Sequence, residues 1–392
     1  MSHEAVIISG ARTAIGTAFK GSLTETDAFT LGTAAVAEAV RRAGVEPELV
    51  DDVILGESLY GGGAIGRYAA IEAGLVNAPG IAHNRHCASG LSSIQSAAAS
   101  VISGMDRVVV AGGAQSSSTS PKVNRRIPGS KEIEEDWLSP SHRETPDAPT
   151  RDMSITVGWN TAVKAGLSRQ QMDEWALRSH QRAVAAIDAG HFTEEIVPIE
   201  VTRVDGQTVT FAVDEHPRRT STLEKLASLK PLHPEIEGFS ITAGNAAGVN
   251  DAAGAVVVAD RELAAARGIE PLAVVKGWAS VGVPPVDTGL APGPAIEKVL
   301  ARTGLSTSDI EVWEINEAFA SVAVAATKSL GLDEEKVNVL GSGCSLGHPI
   351  AMTGTRMVLS LIHELRRRGG GRGVAAMCAG GGMGTAVVIE VP

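Results

Sequence analysis

Four short clusters, each flanked by glycines, hold the side chains able to do chemistry. They are Cys87 in N-R-H-C-A-S-G, Asn316-Glu317 in N-E-A-F-A, His348 in G-C-S-L-G-H-P and Cys378 in C-A-G-G-G-M-G. Behind Cys87, the residues Leu91, Ile94, Ala98, Val101 and Ile102 recur at steps of three and four, the period of one buried helix face. Cys87 is therefore predicted near the first turn of a core helix, where free N–H groups and the helix dipole favour a thiolate over a thiol. A thiolate with an imidazole neighbour is an activated nucleophile. A second cysteine, among glycines that admit a ligand closely, can move a proton at a carbon acid. An asparagine can hold a water as an oxyanion donor, and the N–H groups of a Gly-Gly-Gly turn supply another. Two cysteines, a histidine and two oxyanion sites together describe acyl transfer combined with making or breaking a C–C bond.

Each group also has a structural reading. A lone cysteine on an apolar helix is a packing residue, and Cys344 is read that way. Asn316 can cap the turn after Ile310–Ile315, Glu317 can be a buried structural partner, and His348 can be a satisfied turn histidine. Lys122, Arg125, Arg126 and Arg219 read as solvated surface, and Arg178 and Arg182 as exposed positions of a helix. The rival enzyme class comes from Gly343–Gly347, G-C-S-L-G, which matches the G-x-S-x-G nucleophile elbow of serine hydrolases with Ser345 as nucleophile. That class needs an acid and then a histidine downstream of the serine. His348 follows only three residues on, and His363 lies on a predicted helix with no acid well placed before it.

The elements that position these groups show an internal duplication. At a constant offset, Arg41–Glu57 lies over Ala301–Glu317, matching Arg42 with Arg302, Gly44 with Gly304 and Glu57 with Glu317. Val36, Val40, Val45, Val50, Val53 and Leu55 then meet Ile296, Leu300, Leu305, Ile310, Trp313 and Ile315, so the helix–Gly–strand pattern repeats. Arg107–Ala111 runs into Gly112-Gly113 as Val374–Met377 runs into Cys378. The second half turns straight back through Thr385–Val391, whereas in the first the return strand appears only at Gly254–Ala259. The expected organisation is a first half over residues 1–114 and 253–270, an inserted loop or lid segment over 115–252, and a second half over 271–392. Within the insertion, 116–150 reads as extended loop, 169–190 as an amphipathic helix and 197–211 as a hairpin about Asp205-Gly206. Ligand sites of open α/β sheets lie beyond the carboxyl ends of strands, and pairing two such halves brings equivalent strand ends together.

Composition narrows the class. The chain has 392 residues, 44 glycines, 44% hydrophobic and only 3% aromatic residues, a balance suited to tightly packed α/β structure. Its net charge of −11 argues against nucleic acid or an anionic membrane as the main partner. No apolar run reaches the ~20 residues of a membrane span, and the first ten residues lack the pattern of a signal peptide. Three cysteines without a C-x-x-C pair disfavour a disulfide scaffold or a structural zinc and fit a reducing, cytoplasmic setting.

Taken in order, these motifs resemble those of the thiolase family across almost the whole chain, and G-N-A-A-G-V-N-D (Gly244–Asp251) resembles a fifth. The resemblance implies a five-layered α-β-α-β-α sandwich of two halves and a homodimer or homotetramer. It implies an acyltransferase that reversibly joins acetyl-CoA and an acyl-CoA, with coenzyme A as substrate and no metal or permanently bound cofactor. Cys87 would carry the acyl group as a thioester and His348 would activate it. Cys378 would move the proton at the α-carbon. Asn316, through a water, and His348 would stabilise the enolate, while the N–H groups of Cys87 and Gly380 would hold the tetrahedral oxyanion. Met153, Ala243, Ala247 and Phe319 would line the path of the acyl-CoA, and Arg218 would meet the coenzyme's phosphates. Three departures stand out: His86 precedes the nucleophile, Ala247 replaces a serine, and Gly158-Trp159 replace a commoner charged pattern. They leave linear short, long and polycyclic acyl groups all open.

Overall fold

The structure, a computed structural model, describes residues 3–59 and 64–392. Its first half runs β1 (Ala5–Arg12), α1 (Ala28–Ala43), β2 (Asp52–Gly56), α2 (Ile65–Glu72), β3 (Ile81–His83), α3 (Ser89–Ser103) and β4 (Val108–Ser116). After a long excursion that contains α4 (Arg169–Asp188), β5 (Asn250–Asp260) returns along β4. The second half runs β6 (Ala273–Gly282), α5 (Pro292–Thr303), β7 (Val312–Ile315), α6 (Ala320–Ser329), α7 (Thr353–Arg367), β8 (Gly371–Ala379) and β9 (Met383–Val391).

The strands lie in the order β7-β8-β9-β6-β1-β5-β4-β2-β3. In each half a parallel pair (β2 with β4, β7 with β8) is followed by antiparallel return strands. Only Val6 with Val274 and Ile7 with Ala273 join β1 to β6, so the halves meet at a narrow antiparallel seam. Side chains alternate across each strand. On β5, Val256 and Val258 face a central core with Leu91, Ile94, Met357 and Ile362 of α3 and α7, whereas Ala255 and Val257 face a core with α1. On β8, Ala375 and Met377 face the same central core, whereas Val374, Ala376 and Cys378 face a third core with α5 and α6. The central core fills both faces of the α3–α7 layer, and with the two outer cores it makes the α-β-α-β-α sandwich.

The repeat seen in the sequence has mechanical content. Gly44 and Gly304 end α1 and α5 in the left-handed conformation, at φ 65° and 68°, which a glycine adopts without a side-chain clash. Arg42 donates from Nη1 to the Gly10 carbonyl on β1 at 3.0 Å, and Arg302 does so to the Trp278 carbonyl on β6 at 2.8 Å. Both arginines thus tie the outer helix to the equivalent strand.

The excursion packs on both halves. α4 starts at a Ser168–Gln171 capping box, and Ile199–Thr202 pairs with Thr208–Phe211 as a hairpin. Residues 117–150 are largely irregular, with one short ladder between Arg125–Arg126 and Ile133–Glu134. Arg12 of β1, fully buried, holds Asp214 at 2.7 Å and Glu195 at 2.8 Å. Losing one partner of such a network strands a buried charge, at a cost of about 3–5 kcal/mol. Arg178 and Arg182 are not exposed as expected. Arg178 stacks 4.0 Å over the Trp175 ring and pairs with Glu334, and Arg182 pairs with Glu335, because this face of α4 lies against the second half.

Candidate active site

Cys87 stands on a turn between the three-residue β3 and α3. The Asn84 side chain accepts the His86 N–H at 2.9 Å, and the Ser89 hydroxyl donates to the His86 carbonyl at 2.6 Å while accepting the Arg85 N–H at 2.9 Å. These bonds hold His86 at φ 46°, a backbone conformation that costs a non-glycine residue free energy. Neither Asn84 nor Ser89 received a role from the sequence, although an Asx turn before the nucleophile is a readable signal.

The turn can sit deep because glycines clear its path. A Cβ on Gly90 would stand 2.6 Å from the Ala351 carbonyl oxygen and one on Gly113 only 1.9 Å from it. The segment after His348 therefore packs directly on the start of α3. Gly354 lies just as tightly on Leu91, its Cβ position 2.5 Å from the Leu91 nitrogen, so the first turns of α3 and α7 lie side by side.

The Cys87 sulfur accepts the Gly380 N–H and its own N–H, yet burial pushes the thiol up to about 11. The expected dipole-stabilised thiolate is thus not the resting state: part of the thiol's surface is open, but its surroundings are dry enough for desolvation to win. Cys378, at the end of β8, is raised further, by burial first and then by the charge Cys87 would carry. That coupling requires the two side chains to lie near each other. Met153 and His86 stand beside Gly380, within 3.9 Å of where a Cβ would stand on that glycine.

His348 and Asn316 form the adjoining group. The Asn250 side chain accepts the His348 N–H at 2.9 Å, and Gly347 at φ 96° leaves room for Asn250, which a Cβ would approach to 2.3 Å. The Thr353 hydroxyl donates to the Pro349 carbonyl at 2.9 Å, so its oxygen, 2.7 Å from His348 Nδ1, takes the proton of that nitrogen. Nε2 is left with its lone pair. Burial, then the charge of Arg356, lowers His348 to about 4, which makes it a neutral base at pH 7. Asn316 follows β7, its N–H bonded to the Ala376 carbonyl at 3.0 Å and its Nδ2 3.5 Å from the His348 ring. Its Oδ1 is buried and has no partner among the described residues. Asn316 and Cys378 thus stand at the carboxyl ends of neighbouring parallel strands. Asn250 and Thr353 lay within or beside recognised motifs, but nothing local marked them as His348's supports.

The remaining positions lie along a path outward. Phe319 is buried against Gly158 and bridges Ala246, and the Ala247 N–H bonds the Ala318 carbonyl at 3.0 Å. Ala243 is exposed on the same turn. Arg218 is exposed, with its backbone N–H donated to His180 Nδ1 at 3.2 Å and no ion pair among the described residues. No contact among the described residues joins Ala243 or Arg218 to the thiols.

Several alternatives resolve. Glu317 accepts from Trp175, Ser179 and Asn338 within 2.8 Å and is a structural hub. Cys344 is buried, its sulfur 3.7 Å from the Glu317 carbonyl. Ser345 is fully buried and bonds Ser179 at 2.7 Å and the Ser342 carbonyl at 3.1 Å, with no histidine partner, so it is no exposed elbow nucleophile. Among the described residues no cluster of His, Cys, Asp or Glu is arranged to hold a metal, and no helix is long and apolar enough to cross a membrane.

Comparison with known proteins agrees with this geometry. The family profile described as "Thiolase, N-terminal domain" matches residues 5–262, and "Thiolase, C-terminal domain" matches 269–391. A beta-ketothiolase of Cupriavidus necator is 41% identical over the whole of both chains. A cytosolic acetyl-CoA acetyltransferase of Rattus norvegicus is 40% identical over 99% of this chain and 98% of its own. The crystal structure of human mitochondrial 3-ketoacyl-CoA thiolase in complex with CoA superposes with a TM-score of 0.90 at 38% identity, covering 100% of this chain and 98% of the other. Carrying the two sulfurs, the histidine and the duplicated frame that the sequence led us to expect, this chain belongs to the thiolase family.

Proposed function

We propose that this thiolase works by ping-pong acyl transfer through Cys87, cleaving a 3-ketoacyl-CoA with coenzyme A or running the condensation in reverse. The observation that carries the reading is the charge coupling between Cys87 and Cys378, with the Gly380 N–H on the Cys87 sulfur. Because both thiols rest neutral, each must lose its proton as it reacts. His348 Nε2 takes the Cys87 proton as the sulfur attacks the 3-keto carbon. The oxyanion that forms is held by the N–H groups of Cys87 and Gly380. As the C–C bond breaks, the enolate of acetyl-CoA collects its charge near Asn316 and His348, and Asn316 Oδ1 is free to orient a water there. Cys378 protonates the enolate carbon. Its thiolate then takes the proton of incoming coenzyme A, whose sulfur displaces the acyl group from Cys87 while His348 returns its proton to the Cys87 sulfur, so both thiols are restored.

Met153, Phe319 and Ala247 line the approach of the thioester, Ala243 lies at its rim, and Arg218, exposed and without an ion pair among the described residues, meets the coenzyme's phosphates. Segment 115–252 serves as the lid, and the molecule works as a cytoplasmic homodimer or homotetramer. The cytosolic relative supports that location.

The test is thiolysis of acetoacetyl-CoA with mass spectrometry of the Cys87 peptide. Cys87→Ser abolishes thiolysis and the adduct. Cys378→Ser still takes an acetyl group from acetyl-CoA onto Cys87 but neither cleaves nor condenses. Full turnover by either variant refutes these assignments.

A further inference from the structure

Beside the nucleophile lies a cavity of about 430 Å³ between the turn that carries His86 and the irregular part of the lid, residues 121–151. His86 is its inner wall. The His86 ring stands beside Gly380, whose N–H bonds the Cys87 sulfur, so the cavity begins one residue from the acyl-carrying atom. Trp137 and Leu138 supply apolar lining. Across from them the charges do not cancel. Asp136 is matched by Lys122 at 3.2 Å, whereas the Arg151 guanidinium bonds only the Asp136 backbone carbonyl, at 2.5 Å, and has no carboxylate partner among the described residues. Arg125, on the Trp137 ring, is itself paired with Glu134 at 2.8 Å. The lining therefore combines an apolar stretch with one uncompensated guanidinium that keeps N–H donors unused.

The geometry points to a substrate class: 3-ketoacyl-CoA thioesters whose acyl chain ends in a carboxylate, with the methylenes along Trp137 and Leu138 and the carboxylate on Arg151. The inference rests on the acyl-Cys87 reading above and adds to it the far end of the acyl group. A carboxylate matches the planar fork of a guanidinium with paired, charge-assisted hydrogen bonds. Arg151 is exposed, and a methyl end would make no such bond with it. His86 fits the assignment as well, since its ring brings to the cavity a polar edge where a purely hydrocarbon chain would be served better by an apolar side chain.

The experiment uses the full chain and pairs of 3-ketoacyl-CoAs matched in length, one ending in a methyl and one in a carboxylate, with acetoacetyl-CoA as reference. The intact enzyme is expected to favour the carboxylate-ended member of at least one pair about tenfold or more in kcat/KM. Arg151→Gln lowers kcat/KM for that member about ten- to hundredfold more than for the methyl-ended one, chiefly through KM. Arg151→Lys, which keeps the charge and loses the fork, falls between. A preference for methyl ends at every length overturns the proposal. So does an equal loss on both members in Arg151→Gln, which would assign the guanidinium to the coenzyme's phosphates or to the fold. Thiolysis of acetoacetyl-CoA without any end-group preference overturns the carboxylate assignment alone. Absence of thiolysis and of a Cys87 adduct with every substrate overturns the acyl-Cys87 reading along with it.

Discussion

The two halves of the sandwich share a frame but divide their duties, and the division is sharpest at equivalent positions. At the offset that matches Gly44 with Gly304, Asn316 corresponds to Gly56. A Cβ on Gly56 would stand 2.7 Å from the Gly90 nitrogen and 2.8 Å from the Ala351 carbonyl oxygen, so that strand end is packed shut. At the same place in the second half, Asn316 projects its amide beside His348. Strand pairing carries the correspondence one strand over: Leu55 meets Gly112 as Ile315 meets Ala376, which sets Cys378 against Ala114. Ala114 is buried tight against α1, within 3.4 Å of a Cβ position on Gly32. In the middle layer, Gly90 and Gly354 pack reciprocally, each against the residue after the other, so Cys87 corresponds to Ala351, whose carbonyl fills the space between the halves. In these three pairs, where one half places a candidate reacting group, its counterpart is a small residue used for close packing. A duplicated frame can thus build one asymmetric site at its seam, because only one copy of each pair needs to remain open.

This comparison can be broken by exchanging the duties. The largest effect expected is on rate. Asn316→Ala should fold normally and lose about 10²–10³ in kcat, the scale of one oxyanion-stabilising donor. An unchanged kcat for thiolysis would remove Asn316 from the chemistry. Its counterpart change, Gly56→Ala, should act on stability, lowering the free energy of unfolding by about 1–3 kcal/mol through overpacking against backbone that cannot move aside. Urea denaturation curves that coincide with the parent's would show that this strand end is not packed shut. A smaller effect is expected for Ala114→Cys, which adds one sulfur against α1 and should cost about 1 kcal/mol or slightly more. A fourth thiol that alkylates as fast as Cys87 at that site would contradict the burial assigned to it.

The mildest test uses pH. Burial lowers His348, His180 and His216 to about 4 from an ordinary value of 6.5. Between those limits the unfolded chain binds more protons than the folded one, so stability is full above about 6.5 and is lost as pH falls toward 4. Burial of Glu314, raised to about 7, works in the opposite direction over 4.5 to 7, and the upward shifts of Asp52 and Asp251 share that sign. Burial also lowers His83, His86 and His363, so six histidines act against three carboxyls. Tm measured by calorimetry should therefore fall steadily from pH 6.5 to 4.5, and less steeply in His180→Gln. A flat Tm over that range would show that these rings are hydrated.

Much of this molecule was readable from the chain alone. Period-two and period-3.6 patterns gave the strands and helices, because alternation and helical recurrence are consequences of backbone geometry rather than of context. Gly44 and Gly304 marked helix ends for a local reason, the left-handed residue that closes a helix. The chemical identity of the site was also local: Cys87, Asn316, His348 and Cys378 announce themselves by type and by glycine flanks. What could not be read were their ionisation states. The dipole argument made Cys87 a thiolate, whereas burial in the assembled fold keeps it a thiol. Exposure misled in the same way at Arg178 and Arg182, whose helix face was polar by pattern yet covered by the second half.

The sequence by itself determined the elements, the repeat and the list of candidate groups, since each depends on neighbours within a turn or a strand. Only the tertiary structure decided which nitrogen of His348 holds a proton, through Thr353, and that two remote sulfurs interact. It alone set a guanidinium with no carboxylate partner among the described residues at the edge of a cavity that His86 helps to line. Hydrogen bonding, burial and charge cancellation act through space, and the partners in each come from stretches with no fixed separation along the chain.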